Sequence, residues 1–326
     1  MARAHPQSAG ERTASLGPGR KRRRGGAAPY LFIFPWIFGF LVFTLGPLVF
    51  SLIISLFDWP IVGKVRFIGL GNYAAMFTDD PLFWKSLGVT LKFAALFVPL
   101  NIAVALLLAI LLNQKVRGSA IFRTTFYLPS VISGVALAMI WSWVYSGDYG
   151  ILNYFLSLVG VQGPDWLNDT HWSLAAMVVA SLWGQGSMML VFLAGLKGIP
   201  KDLYESASID GAGKLRQFVS VTLPMLSPTI LFNLITSIIA AFQQLTLALL
   251  LTGGGPMKAT YFYAMYMYEN AFKYFKMGYS AANAWFMFLI ILGLTFLVFK
   301  SSEAWVFYEG EMKRAPGAAK KRRRSA

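Results

Sequence analysis

The stretch IPKDLYESASIDGAGKLRQFVSVTLP, residues 199–224, lies between two long apolar segments in a chain made mostly of such segments. It is polar, charged and helix-compatible, and it breaks sharply at Asp210-Gly211. A chain that only reverses direction between two membrane spans needs a few residues. An organised stretch of this length on one side of a bilayer points to a surface that another protein holds. Pro200 fits a helix first turn, and Asp202 and Glu205 suit the positive end of the helix dipole. A helix is expected over Lys201–Ile209. Asp210-Gly211 ends it, because glycine takes a left-handed cap without a Cβ penalty. A second short helix is expected over Lys214–Val221, with Leu223-Pro224 opening the next apolar segment. Leu203 and Ala207, four apart, share a face. Small Ala207, Ser208 and Gly211 let a partner approach closely and offer little apolar area to lipid.

Composition sets the solvent. The 326 residues are 56% hydrophobic and only 13% charged, whereas soluble domains are about one quarter charged. That excess of apolar residues points to a membrane. There is no cysteine, which excludes disulfides, thiolate catalysis and cysteine metal sites. The only histidines, His5 and His171, lie far apart in sequence, which argues against a metal or acid–base centre built on them. The net charge of +15 comes mainly from the basic runs Arg20–Arg24 and Lys320–Arg324. Such runs can bind nucleic acid. Here both flank apolar spans, where they fix orientation and meet anionic lipid. Residues 1–28 and 312–326 read as disordered basic tails, with one transmembrane domain over 29–311.

Six apolar segments are long enough to span a hydrocarbon core: Tyr30–Phe57, Leu87–Leu112, Phe122–Tyr145, Leu174–Leu196, Met225–Leu251 and Ala281–Phe299. The fold class expected is an all-α membrane protein with six transmembrane helices. The first segment is too long for a signal-peptide core and no clear cleavage site follows it, so it reads as an uncleaved span. Six spans place both termini on one side. Twenty-two Lys and Arg fall in the tails and in the 113–123 and 197–223 connections, against six in the alternate connections. That asymmetry puts both termini and residues 199–224 in the cytoplasm, in a multi-pass protein of the cytoplasmic membrane. Pro35, Pro47, Pro99, Pro129 and Pro228 lie inside spans and mark kinks, which membrane bundles tolerate.

Some chemistry is missing. Gly211-Ala212-Gly213-Lys214-Leu215 lacks both the leading glycine spacing and the Ser/Thr of a phosphate-binding loop. The spans hold essentially no Asp or Glu, which argues against an intramembrane enzyme and an ion-coupled secondary carrier. Energy for uphill movement must then come from another chain. Uncharged polar groups do occur at depth: Ser181, Gln185 and Ser187 in the fourth segment, and Asn233, Thr236, Ser237, Gln243, Gln244 and Thr246 in the fifth. They serve either as hydrogen bonds between helices or as the wall of a polar path for a hydroxyl-rich solute. Leu251–Pro256 (LTGGGP) stops the fifth segment. The aromatic residues after it, from Tyr261 to Phe275, read as an interfacial helix.

The 199–224 stretch resembles the EAA motif of ATP-binding-cassette importer permeases. That pattern is E-A-A, three residues, G, nine residues, I, one residue, L-P. Here Glu205-Ser206-Ala207, Gly211, Val221 and Leu223-Pro224 match its spacing, with Ser206 for the middle Ala and Val221 for Ile. The strings GLGNY (69–73), LAGLKGIP (193–200), LTGGGP (251–256) and MGYSAA (277–282) are similar to the carbohydrate-uptake branch, in particular to the first of its two permease subunits, related to the maltose and glycerol-phosphate permeases. The resemblance implies the type I importer permease fold and alternating access. It also implies a homologous second permease, two ATPase subunits that bind the ATP and magnesium, and an extracellular or periplasmic solute-binding protein. No cofactor or metal is implied for this chain. By the same resemblance Glu205, Ala207, Asp210, Gly211, Ala212, Leu223 and Pro224 form the contact with the ATPase, and Ser181, Gln185, Ser237, Gln243 and Gln244 line the substrate path. The solute implied is a sugar. Maltose itself is not, because several lining side chains differ, and glycerol phosphate stays open.

Overall fold

The computed structural model describes residues 28–114 and 118–307. The basic runs, both terminal tails up to residue 27 and from residue 308, Lys115 and Arg117 lie outside the described residues. The chain divides into two compact units, Met1–Phe50 and Ser51–Ala326.

In the first unit, α1 (Ala28–Phe40) runs through a wide turn at Leu41–Leu45 into α2 (Gly46–Ile54). The Gly46 N–H bonds to Leu41 O, five residues back instead of four. Pro47 follows at once, and the physical cause is plain. A proline ring clashes with the carbonyl four residues earlier, so the helix widens by one residue before it. The helix of this first span is apolar on every side, as a lipid-facing helix must be.

The second unit opens with a two-residue hairpin, β1 (Phe57–Asp58) against β2 (Arg66–Phe67), and then α3 (Gly71–Thr78). Phe57 therefore belongs to a strand, and the first span ends at Ile54. Asn72 pins the turn by donating Nδ2 to the carbonyls of Ser55 and Phe57 at 2.8 and 2.9 Å. α4 (Pro81–Asn113) is the longest helix. It starts six residues before the expected second span because Asp80 caps it, accepting from the N–H groups of Leu82 and Phe83, and because Pro81 suits the first turn.

The third and fourth spans are broken. α5 (Ser119–Tyr127) and a short tight turn at Leu128–Val131 meet α6 (Gly134–Val144) at 102°. Pro129 stops the first piece, and Ser133 starts the second by accepting from the Ala136 N–H. After α7 (Ile151–Leu158), α8 (Ser173–Leu182) meets α9 (Gly186–Gly198) at 51° across Trp183-Gly184-Gln185. Gly186 is the tightest point there. A Cβ on it would lie 2.6 Å from Tyr127 Cα and 2.7 Å from Phe126 O.

α10 (Lys201–Ile209) leads to α11 (Lys214–Gln217), and α12 is Leu223–Phe242. The second short helix expected before the fifth span is in fact its beginning. α11, a wide turn at Phe218–Thr222 and α12 form one run, Lys214–Phe242. The cause repeats that at Pro47, for Leu223 N–H reaches back five residues to Phe218 O and Pro224 follows. The fifth span also stops early, at Gln243–Leu245, before a short helical run to Thr252. α14 (Met277–Ser302) is the last helix described. Four helices are long and apolar enough to cross a membrane, or six if each bent pair is one span.

The aromatic stretch divides: Tyr268, Phe272, Tyr274 and Phe275 are exposed, but its first half turns inward. Tyr261, Phe262, Tyr263 and Tyr266, at and before α13 (Tyr263–Phe272), are core residues. Tyr266 and Tyr279 hydroxyls donate to Asp80 Oδ2 at 2.6 and 3.0 Å, and Tyr263 OH donates to Asn283 Oδ1 at 2.9 Å. Burial opposes the charge on Asp80. The hydrogen bonds from Tyr266, Tyr279 and the two backbone N–H groups outweigh it and hold the carboxyl below its ordinary range. One apolar cluster gathers here around Phe83, Phe93, Met177 and Tyr263, and a second around Ala105, Met189, Phe192 and Leu226. At that second end the chain beyond α14 returns to α12, where the Phe307 N–H meets Ser227 Oγ at 2.8 Å.

Candidate functional site

A groove of about 500 Å³ lies where the two clusters meet. All three helix interruptions border it, through Gly134, Gly184-Gln185 and Gln244 with Thr246. Breaking a helix frees backbone groups and creates room, so this is where a membrane bundle can host a polar surface. The walls carry Asn101, Ser181, Gln185, Ser187, Asn233, Thr236, Ser237 and Gln244, with no charged side chain among the lining residues. Phe97, Leu137 and Phe232 supply apolar surface. A larger open hollow of about 810 Å³ lies along residues 143–163, but no helix interruption of a span opens onto it.

The polar side chains are tied to the breaks. Ser181 Oγ donates to Met177 O at 2.8 Å and accepts from Gln244 Nε2 at 3.0 Å. Gln185 Nε2 donates to Ser181 O at 2.9 Å. The last turn of α8 is thereby joined to the break after α12. Asn101 of α4 donates Nδ2 to Ser237 Oγ at 2.9 Å. Of the residues expected along this path, Ser181, Gln185, Ser237 and Gln244 border the groove. Gln243 does not. It is exposed and caps the end of α12 away from the groove. Asn101 was missed, although an Asn within an otherwise apolar helix is itself a signal.

The 199–224 stretch forms a hook. α10 ends in a full glycine cap: Gly211 has φ +77°, its N–H bonds to Ser208 O at 3.0 Å, and Ala212 N–H bonds to Ala207 O at 2.9 Å. Gln217 clamps the hook by donating Nε2 to both Ser208 Oγ and Ala212 O at 2.9 Å. Tyr204 OH meets Thr222 Oγ1 at 3.0 Å. These bonds fasten α10 to the root of the helix that continues to Ser237. Glu205, Asp210 and Gly211 are exposed, Ala207 and Ala212 half-buried, and Ile209 and Leu215 are 87% and 78% exposed. Leu223 and Pro224 sit partly buried inside the helix instead of at its start. The clamp residues Gln217 and Tyr204 were not singled out from sequence. Gln217 falls where the motif names no residue, and Tyr204 lies just before its first one. Among the described residues no group of three or more metal-ligating side chains comes together.

A profile for binding-protein-dependent transport system inner membrane components matches residues 101–305, which include the hook and every groove residue but Phe97. The chain belongs to that family. It is 42% identical over 296 residues to the probable ABC transporter permease protein YesP of Bacillus subtilis, covering 90% of this chain and 96% of that one. It is 34% identical over 280 residues to the arabinooligosaccharides transport system permease protein AraP of the same organism, covering 85% and 88%. In fold this permease is similar to a chain in the crystal structure of a bacterial alginate ABC transporter in complex with alginate pentasaccharide-bound periplasmic protein. The TM-score is 0.74 at 23% identity, over 84% of this chain and 93% of that one. As a permease component it is a transport subunit of the inner membrane, with several spanning helices.

Proposed function

We propose that this permease carries a neutral, hydroxyl-rich solute, a mono- or oligosaccharide, through the groove by alternating access. The observation that carries this reading is the groove wall: amides and hydroxyls beside aromatic and aliphatic faces, with no cation to hold an anionic group. Sugars present hydroxyls on their edges and C–H on their faces, and such a wall suits both. The relative named for arabinooligosaccharide transport points the same way.

Energy enters through the hook. Separate ATPase subunits bind ATP and magnesium, and one of them grips α10 at Glu205, Ala207, Asp210, Gly211 and Ala212, with Ile209 and Leu215 as apolar anchors. The clamp at Gln217 and the Tyr204–Thr222 bond pass the movement to Leu223-Pro224 and on along α12 to Ser237. A second, homologous permease completes the path, two ATPase subunits drive it, and a solute-binding protein delivers the sugar on the side opposite the hook. Both termini face the cytoplasm by the lysine and arginine asymmetry.

The test uses the assembled importer in liposomes, with labelled disaccharides and sn-glycerol 3-phosphate as alternative cargoes. Disaccharide uptake that needs ATP and survives a protonophore is expected. Uptake without ATP, or of glycerol phosphate alone, refutes the reading.

A further inference from the structure

The two ends of the groove differ. Around Ser181 the amides find partners. At the end nearer α10 two do not. Asn101 is 3% exposed and, having given Nδ2 to Ser237, leaves Oδ1 with no partner. Asn233 is 2% exposed, sits four residues before Ser237 on the same face of α12, and leaves Nδ2 with no partner. Both residues border the groove. Unpartnered buried amide atoms are costly, more so away from water. Among the described residues, the three other buried side-chain atoms without partners, on Arg123, Trp141 and Ser173, belong to residues outside the groove.

The two orphans are of opposite kind, one acceptor and one donor. They do not satisfy each other. Turning either amide over exchanges its two ends and still leaves a group over. We infer that Asn101 and Asn233 form a hydroxyl-reading pair: a hydroxyl of the transported solute donates to Asn101 Oδ1 and accepts from Asn233 Nδ2 as it passes. A hydroxyl does both at once. A carboxylate or a fully ionised phosphate only accepts, and an ammonium only donates. The pair therefore discriminates against a sugar lacking that one hydroxyl, because the analogue leaves both amides unpaired. It adds α4 to a specificity whose other polar side chains stand on or just beyond the fourth and fifth spans. The inference rests on the groove being the solute path.

The assembled importer is supplied with labelled maltose, trehalose, lactose or arabinobiose on saturating solute-binding protein, and then with each monodeoxy derivative of a sugar that moves. Maximal uptake rates are compared, so that affinity for the binding protein drops out. In the unaltered permease one monodeoxy derivative should move about tenfold more slowly than its parent. In Asn101→Leu and Asn233→Leu that ratio should fall towards one, with the parent slowed and the derivative little affected. Asn233→Thr, which replaces the amide donor with a hydroxyl donor and removes bulk, should give an intermediate ratio and serves if a leucine variant does not assemble. An unchanged ratio in the variants, or equal loss of parent and derivative, overturns the pair and leaves two amides that hold water or pack the bundle. Should the unaltered permease move none of these sugars, the neutral-sugar reading falls and the pair falls with it.

Discussion

Gly211 offers a graded test of how the hook works. Its φ of +77° lies in the left-handed region, and a Cβ built on it meets nothing within 4 Å. Substitution therefore changes backbone preference without a steric clash inside this chain. Alanine in that region costs about 1–2 kcal/mol. Asparagine costs less, because its short polar side chain tolerates the conformation. Proline does most harm. It cannot reach a positive φ, it removes the N–H that bonds to Ser208 O, and it pushes Asp210 out of its cap conformation at φ −73°, ψ 5°. With the Ala212–Ala207 bond also lost, the cap forfeits two hydrogen bonds of about 1 kcal/mol each besides the conformational cost. The total is on the order of 3 kcal/mol or more. A tenfold change in an equilibrium needs about 1.4 kcal/mol. The hook should thus be mostly formed in Gly211→Asn, partly in Gly211→Ala and essentially unformed in Gly211→Pro. The assay is solute imported per ATP hydrolysed by the assembled importer, together with the amount of each variant in the membrane. Coupling should fall in the order Gly, Asn, Ala, Pro at equal abundance. Normal coupled uptake by Gly211→Pro would refute the role of the hook. If Ala outperforms Asn, surface fit to a partner outweighs backbone conformation.

Three further outcomes follow from geometry. Tyr266→Phe removes the 2.6 Å bond to Asp80 and should lower stability by on the order of 1–2 kcal/mol, read as the thermal midpoint of the detergent-solubilised protein. Because Asp80 titrates below its ordinary range, its contribution is present above the unfolded carboxyl value near pH 4 and fades as pH falls through the lower folded value. That acid-side loss should be shallower in Tyr266→Phe. Gly186→Ala forces a methyl to within 2.6 Å of Tyr127 Cα and should destabilise by about 1–3 kcal/mol in the same melt, whereas Gly184→Ala, with open space at its Cβ, should not. The chain has no cysteine, so single cysteines can be labelled cleanly: Ser181→Cys and Thr236→Cys should lose reactivity towards a hydrophilic thiol reagent during sugar turnover, and Gln243→Cys should keep it.

Hydrophobic patterning and motif spacing made much of this molecule legible. Apolar runs located the four long helices and the two bent pairs, and the spacing from Glu205 to Pro224 marked the hook and its break at Gly211. What they could not place were features made by tertiary contact. Trp183-Gly184-Gln185 reads as apolar helix until Gly186 is seen against the backbone of Tyr127. The fifth span was drawn as continuous through Gln243 because Leu245–Leu251 is apolar enough to continue it. Tyr263 and Tyr266 have the composition of a membrane-surface helix, yet their hydroxyls turn inward to Asn283 and Asp80. Asn101 and Gln217 act through partners 136 and 9 residues away. Sequence spacing carries no trace of the first, and the second sits where the motif specifies nothing.

The wide turns before Pro47 and Pro224 have a consequence for anyone mapping these helices. Each holds one residue more than a regular turn would, and one residue is about 100° of rotation. A helical wheel drawn from Lys214 through to Phe242 is therefore out of phase by that angle beyond Thr222. Scanning data on the two sides of the turn belong on separate wheels. By the same logic, deleting a single residue within Phe218–Thr222 lets the helix close up as a regular one and leaves the hook, with Glu205 and Ile209 upon it, facing as before relative to the groove, whereas a deletion in the regular helix just beyond Pro224 turns the hook by about 100°.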